Sequence, residues 1–420
     1  MYHARRAMPQ RLNEPEDPVT ITHDGSSVVA RRGEPLVLPL LVASGHALSR
    51  SPKLHRPRGP YCLRGACEGC LVRVDGVPNV MACQHAVRGG ERVETQNVLG
   101  SRELDLLGAT DYLFPRGMDH HRLFAGVRGV SPLVQAFARR VSGLGRLPDE
   151  VLGERSAQQR KTAVLIVGGG AAGLAAAAVL GKRALLCDDQ PELGGALGLL
   201  EPEHAAAAIT RAERSGAELL RHTSAAGLFR DEDGLAALLV GDQGPLFVRP
   251  KQVLVATGNH DPSPLFENND APGVLSARAA LLALRGGVAV GRRVAVVGEG
   301  RFARRFVELA RGRIECVELD TESVRGALGR TELSRVLVRA AGAERRLRAD
   351  ALIFDGPGAP AFELCVQAGA QVRFDAARGY VPERSTDGCV APDVYAAGSL
   401  VLASNSAPDA ERIAHSLSET

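Results

Sequence analysis

The chain has 420 residues, 24% of them charged, and its formal net charge of +3 at pH 7 is spread without a basic block. That length accommodates two or three domains with cores of their own. The even charge and the 4% aromatic content argue against nucleic-acid binding through basic patches and stacking rings, whereas 47 glycines suit a Gly/Ala-rich dinucleotide fold. The start, Met1-Tyr-His-Ala-Arg-Arg6, is charged and lacks the apolar core of an export signal, so a cytoplasmic setting is expected. The uncharged run 163–181 is long enough to raise a membrane span, but it opens as a strand and contains five glycines. No membrane span is expected.

After an N-terminal extension over 1–18, Val19–Thr22, an Asp24-Gly25 turn and Ser27–Arg31 read as a β-hairpin. Pro35–Ser44 reads as a helix, Leu71–Val74 as a strand entering an Asp75-Gly76 turn, and Arg92–Glu94 as a closing strand. Four cysteines lie within this frame. Cys62, Cys67, Cys70 and Cys83 are spaced C-x4-C-x2-C-x12-C, and the first three match the ligand run of plant-type [2Fe–2S] ferredoxins. Gly65, Ala66 and Gly69 are small enough to let backbone N–H groups approach the sulfurs. A tetrathiolate zinc site more often pairs two C-x2-C knuckles, and only one is present. Residues 19–98 therefore read as a [2Fe–2S] ferredoxin-like β-grasp.

Residues 99–160 read as a linker with a helix from Leu133 to Val141 and an adjacent His120-His121 pair, more in keeping with a surface than with a metal site. Ala163–Val167 then reads as a buried strand, followed at once by Gly168-Gly-Gly170-Ala-Ala-Gly173 and a helix through Leu180. This is G-x-G-x-x-G in its strand–turn–helix setting. Gly168 makes the turn, Gly170 admits a diphosphate to the backbone, and Gly173 lets the helix lie close on the strand. The helix N-terminus favours the anion. The next strand ends in Asp188-Asp189, one of which is placed to take ribose hydroxyls.

An echo follows about 130 residues later. Arg293–Val297 leads into Gly298-Glu-Gly300-Arg-Phe-Ala303, and a strand from Ile314 to Leu319 ends at Asp320. The spacing fits the G-x-G-x-x-A variant, but Glu299 and three nearby arginines crowd the cradle, and the stretch before the strand Ala351–Phe354 is short. Whether this second fold takes NAD, another nucleotide or nothing stays open. Cys187, Cys316, Cys365 and Cys389 stand alone, with no C-x-x-C beside the first fold, which argues against a disulfide reductase.

Three further stretches resemble those of flavoproteins with two dinucleotide-binding domains. They are Glu192-Leu-Gly194-Gly195, the crossover Val253-Leu-Val-Ala-Thr257-Gly258, and Asp393-Val-Tyr395-Ala-Ala-Gly398, where Ser399 stands in place of the usual aspartate. The resemblance implies FAD held by Gly168, Gly170, Gly173, Asp188 or Asp189, Gly195, Thr257, Gly258, Gly398 and Ser399. It makes Gly298, Gly300, Ala303 and Asp320 the corresponding nucleotide residues of the second fold. The fold class implied is α/β, with a β-grasp ferredoxin followed by a flavoprotein fold over 161–265 and 358–420 and a reduced NAD(P)-type domain inserted over 266–357.

Arg58-Gly-Pro-Tyr-Cys62, Asp75-Gly-Val-Pro-Asn79 and Ala82-Cys83 together resemble the ferredoxin-like subunits of hydrogen cyanide synthase and hydroxyproline dehydrogenase complexes. They are also similar to the N-terminal part of sarcosine oxidase α subunits. This family resemblance implies a FAD/[2Fe–2S] electron-transferring subunit of an amine or amino-acid dehydrogenase, of the proline, hydroxyproline, sarcosine or opine-like kind. A separate flavoprotein subunit would oxidise the substrate, FMN would lie at that boundary in some relatives, and a downstream acceptor would take the electrons. No motif places a catalytic base or nucleophile. A self-sufficient NADH-dependent ferredoxin-type reductase, and a degenerate scaffold that retains only the cluster, remain as alternatives.

Overall fold

The computed structural model describes residues 9–51, 55–98, 153, 155–340, 342–402 and 406–418. The expected linker helix at Leu133–Val141 and the pair His120-His121 lie outside the described residues. The chain divides into two compact units, one formed by described residues within Met1–Val151 and Ser263–Gly356, the other by those within Leu152–Pro262 and Pro357–Thr420.

In the first unit, Asp24 and Gly25 adopt positive φ (48° and 81°) and turn Pro18–His23 back onto Ser26–Arg31. Asp75 and Gly76 do the same between Leu71–Val74 and Val77–Met81. Arg92–Glu94 closes a five-stranded sheet by pairing parallel with Pro18–His23 and antiparallel with Leu71–Val74. The helix Val37–Ser44 tolerates Pro39 because a first-turn residue needs no N–H partner, and it stops at Gly45, whose φ is 81°. Its Val37, Leu38, Leu40 and Leu41 are buried.

The inserted segment of the same unit carries a parallel sheet in the order Val274–Ser276, Ala351–Phe354, Arg293–Val297, Glu315–Leu319. A three-stranded antiparallel meander over Val324–Leu328, Arg335–Ala340 and Ala343–Arg348 occupies the stretch that looked short in sequence. The ferredoxin-like sheet and this fold are built on one continuous core. Ile21, Leu40, Val72 and Val93 belong to the same buried cluster as Leu275, Ala280, Phe306 and Ile353. Each such large side chain contributes on the order of 2 kcal/mol by leaving water. Described residues of the expected spans 19–98 and 266–357 lie in one compact unit and contribute to one buried cluster.

The second unit is an eight-stranded sheet running Glu218–Leu220, Ala184–Cys187, Gln158–Val167, Gly244–Val255, Gly234–Gly241, Thr223–Asp231, with Val394–Ala396 attached to Gly244–Val255 and Cys389–Ala391 to Val394–Ala396. The helix Ala171–Leu180 packs against Ser406–Ser418. Its alanines allow a close approach, and Ala172, Ala176 and Ala177 share a cluster with Ala410, Ile413, Ala414 and Leu417. The strand expected to start at Ala163 starts at Gln158. Its polar Gln-Gln-Arg-Lys lead has no apolar alternation to mark it, but pairs with Leu246–Arg249. Among the described residues no helix is long and apolar enough to cross a membrane.

Candidate cluster and flavin sites

Cys62, Cys67 and Cys70 lie on the loop between Pro57–Arg58 and the sheet strand Leu71–Val74, and Cys83 follows Val77–Met81. The thiols fall into two pairs. Cys62 donates to Cys67 with their sulfurs 3.3 Å apart, and Cys70 is hydrogen-bonded to Cys83. Cys62, Cys70 and Cys83 are buried, and Cys67 is half-buried. The bond from Cys62 holds the Cys67 thiol down at about 5 against the opposing effect of burial, and the bond from Cys83 likewise lowers Cys70. Cys62 and Cys83 are raised in turn, as hydrogen-bond donors first and by burial second. Four thiols crowded in this way resist joint ionisation until cations enter among them.

Backbone donors already point at the sulfurs, with Gly65 N–H 3.2 Å from Cys83 Sγ and Arg64 N–H 3.5 Å from Cys62 Sγ. Gly65 reaches this position with a φ of 80°. At Gly69 a Cβ would collide with the Gly59 carbonyl, so only glycine fits there. Two pairs, each able to serve one iron, suit a two-iron cluster better than one tetrahedral ion.

In the second unit, Cys187, Val167, Val255 and Ala396 align across neighbouring strands in one row. The flavin-type motifs all emerge from this edge, at the carboxyl ends of parallel strands where such sheets bind ligands. A Cβ on Gly168 would collide with the Ala256 carbonyl, and one on Gly173 with the Gly168 carbonyl. Gly170 is different, because among the described residues nothing lies within 4 Å of where its Cβ would stand, and as the N-cap it offers the helix no side chain of its own. That open N-terminus fits a dinucleotide diphosphate.

Of the two candidate ribose acids, Asp188 faces the turn. Its Oδ2 accepts from Gly169 N–H at 2.6 Å and its Oδ1 from Gln190 N–H at 2.8 Å. Asp189 instead accepts from the Gln190 side chain at 2.8 Å. Gly194 N–H donates to the Gly169 carbonyl at 2.8 Å, bringing Gly195 against Gly170. Farther along the edge, Thr257 Oγ1 donates to the Ala361 carbonyl at 2.7 Å, and a Cβ on Gly258 would lie 3.4 Å from Ser399 Oγ. Thr257, Gly258, Gly398 and Ser399 thus form a second group on the edge that carries the glycine turn.

Arg378, which no sequence motif marks, donates from its guanidinium to the carbonyls of Ser399 at 2.5 Å and Val401 at 2.8 Å. A lone arginine in a loop carries no motif. Cys187 and Cys365 are buried and their thiols are raised, Cys365 to about 12, so both behave as core residues.

The second glycine turn is closed where the first is open. A Cβ on Gly298 would collide with the Asp355 carbonyl, and one on Gly300 with the Asp355 carboxyl group. Asp355 Oδ2 accepts from Ala303 N–H at 2.8 Å. Asp320 lines a cleft of about 550 Å³ with Gly298, Glu299, Thr321, Glu322, Ser323 and Arg339.

Residues 16–98 match the 2Fe-2S iron-sulfur cluster binding domain family. Hydrogen cyanide synthase subunit HcnA of Pseudomonas aeruginosa is 38% identical over 79 residues, which cover 19% of this chain and 75% of that subunit. Sarcosine oxidase subunit alpha of Corynebacterium sp. is 27% identical over 313 residues, 68% of this chain but 28% of that longer subunit. The crystal structure of L-proline dehydrogenase from P. horikoshii shares the fold, with a TM-score of 0.75 and 24% identity over 98% of this chain and 76% of that one. An iron–sulfur cluster is the cofactor that the family match supports. The chain belongs to the family of iron–sulfur oxidoreductase subunits that includes HcnA, and it is similar to sarcosine oxidase subunit alpha over a longer stretch.

Proposed function

We propose that this chain is the electron-transferring subunit of a heteromeric amine or amino-acid dehydrogenase, with a [2Fe–2S] cluster on Cys62, Cys67, Cys70 and Cys83 and FAD on the Gly168–Gly173 turn. The observation that carries this reading is the coexistence, in one chain, of two thiol pairs and a diphosphate cradle left open at Gly170 among the described residues. A flavin exchanges electrons in pairs or singly and a [2Fe–2S] cluster one at a time, so the two together convert pair transfer into single transfer. In this reading each thiol pair serves one iron, while the Arg64 and Gly65 N–H groups offset negative charge on the sulfurs. Asp188 holds the ribose hydroxyls, and the row ending in Thr257, Gly258, Gly398 and Ser399 borders the rest of the flavin.

Oxidation of the amine is assigned to a separate flavoprotein subunit, with FMN at the boundary, and a downstream acceptor drains the electrons. The names of HcnA and of sarcosine oxidase subunit alpha, each a subunit of a larger enzyme, support a hetero-oligomer. The test is an anaerobic visible spectrum of the purified full chain with iron, sulfide and flavin assays, before and after NADH and then dithionite. The expected result is about two irons and one FAD per chain, bleached by dithionite and not by NADH. Bleaching by NADH alone would establish the self-sufficient reductase instead, and a cluster without flavin would leave the scaffold.

A further inference from the structure

The two glycine turns can be superposed through their own hydrogen bonds. Ala256 N–H donates to the Val167 carbonyl at 2.8 Å, and Asp355 N–H donates to the Val297 carbonyl at 2.9 Å. Val167 and Val297 each stand immediately before the first glycine of their turn. Gly168 lies against the Ala256 carbonyl as Gly298 lies against the Asp355 carbonyl. Ala256 and Asp355 are therefore the same position in the two folds, occupied once by a methyl group and once by a carboxylate.

We infer that Asp355 fills the diphosphate seat of the second dinucleotide fold from within, so that this fold excludes NAD and serves as a platform for the ferredoxin-like sheet. The carboxylate of Asp355, a residue 6% exposed, occupies the space beside Gly300 where a diphosphate would approach the backbone. It also takes the Ala303 N–H at 2.8 Å, capping the helix Arg301–Ala310 from the end of another strand. A helix N-terminus attracts one anion, and here the anion belongs to the protein. A diphosphate would have to expel a buried charge from its hydrogen bond and then sit beside it. Glu299 and Glu322 add like charge on the cleft side, where Arg339 supplies a cation. The fold has meanwhile taken on structural work, since its Leu275, Ala280 and Phe306 share the core of the cluster-bearing sheet.

The test is equilibrium dialysis of labelled NAD+ against the full chain saturated with FAD, which blocks the first cradle. Amide hydrogen exchange over residues 298–304 locates any binding. Wild-type protein is expected to show no saturable binding and no added protection there. Asp355→Ala is expected to bind NAD+ saturably, at least roughly tenfold tighter than the detection limit that the wild type does not reach, with protection at those amides. Asp355→Asn, which retains an acceptor for the Ala303 N–H and so guards against unfolding, is expected to fall between the two. Saturable NAD+ binding by the wild type with protection over 298–304 would overturn the inference. So would an Asp355→Asn or Asp355→Ala protein that melts cooperatively, retains its cluster and FAD, and gains no NAD+ binding. The assay rests on the proposed FAD site only to block the first cradle, and protection over 298–304 reads the second fold separately from it.

Discussion

Ser276 N–H donates to the carbonyl of Tyr61 at 2.9 Å, tying the residue before Cys62 to the first strand of the inserted fold. Neighbouring contacts repeat the tie. Arg58 pairs with Asp270 at 2.7 Å, His46 Nε2 meets the Val290 carbonyl at 2.8 Å, and a Cβ on Gly59 would come within 3.0 Å of Pro272. The cysteine loop is thus held from behind by a fold more than two hundred residues away in sequence. Its shape depends on packing as well as on the four thiols.

That dependence makes Gly69 sensitive. A methyl group there has no room beside the Gly59 carbonyl, so Gly69→Ala forces the loop to shift. A cost of about 1–3 kcal/mol is expected, with iron content falling by at least half while far-UV circular dichroism stays near wild type. Iron and sulfide assays check this, and an unchanged cluster spectrum would contradict it.

Gly170 and Gly173 separate binding from folding. Gly170→Ala points into open space and is expected to change apoprotein stability by less than about 1 kcal/mol while weakening FAD roughly tenfold or more. Gly173→Ala collides with the Gly168 carbonyl and is expected to destabilise the apoprotein itself by about 1–3 kcal/mol. Flavin titration and denaturant melts of both variants read the two effects independently.

The neighbouring acids are expected to differ. Asp188→Ala removes the acceptor of the Gly169 N–H and should weaken FAD by about 10- to 100-fold. Asp189→Ala, which loses a contact to the Gln190 side chain, should leave affinity within about twofold. Equal losses for both would reassign the ribose position.

His46 offers a pH test of the first unit. Burial lowers its pKa, with the Glu332 carboxylate opposing, and its buried Nδ1 has no hydrogen-bond partner among the described residues. Its folded pKa lies below the unfolded value of about 6.5, so the unfolded chain binds the extra proton first. The stability that the neutral ring permits is present above about pH 6.5 and is lost progressively as pH falls toward the lowered pKa. Melting temperatures measured from pH 8 to 5 should show this decline in wild type and a shallower one in His46→Gln. Parallel slopes would exclude His46 as the source.

Local chemistry made much of this protein legible. C-x4-C-x2-C, the Asp24-Gly25 and Asp75-Gly76 turns and the two strand–glycine–helix runs depend on neighbours in sequence, where steric and hydrogen-bonding demands act directly. The observed strands and turns of residues 18–94 follow those signals closely. The polar strand start at Gln158 and the role of Arg378 had no such signal, because each depends on a partner distant in sequence.

From its sequence alone the protein was determined to be a ferredoxin-like module joined to a flavoprotein fold, because cluster spacing and glycine turns are short-range requirements. Only the tertiary structure decided that Asp188 rather than Asp189 faces the first turn, and that the inserted fold shares a core with the cysteine-bearing sheet. It alone also brought Asp355 into the second cradle, 52 residues from the Ala303 N–H that it caps. Those outcomes depend on which side chains meet across the packed strands, and burial and hydrogen bonding over that distance leave no local pattern to read.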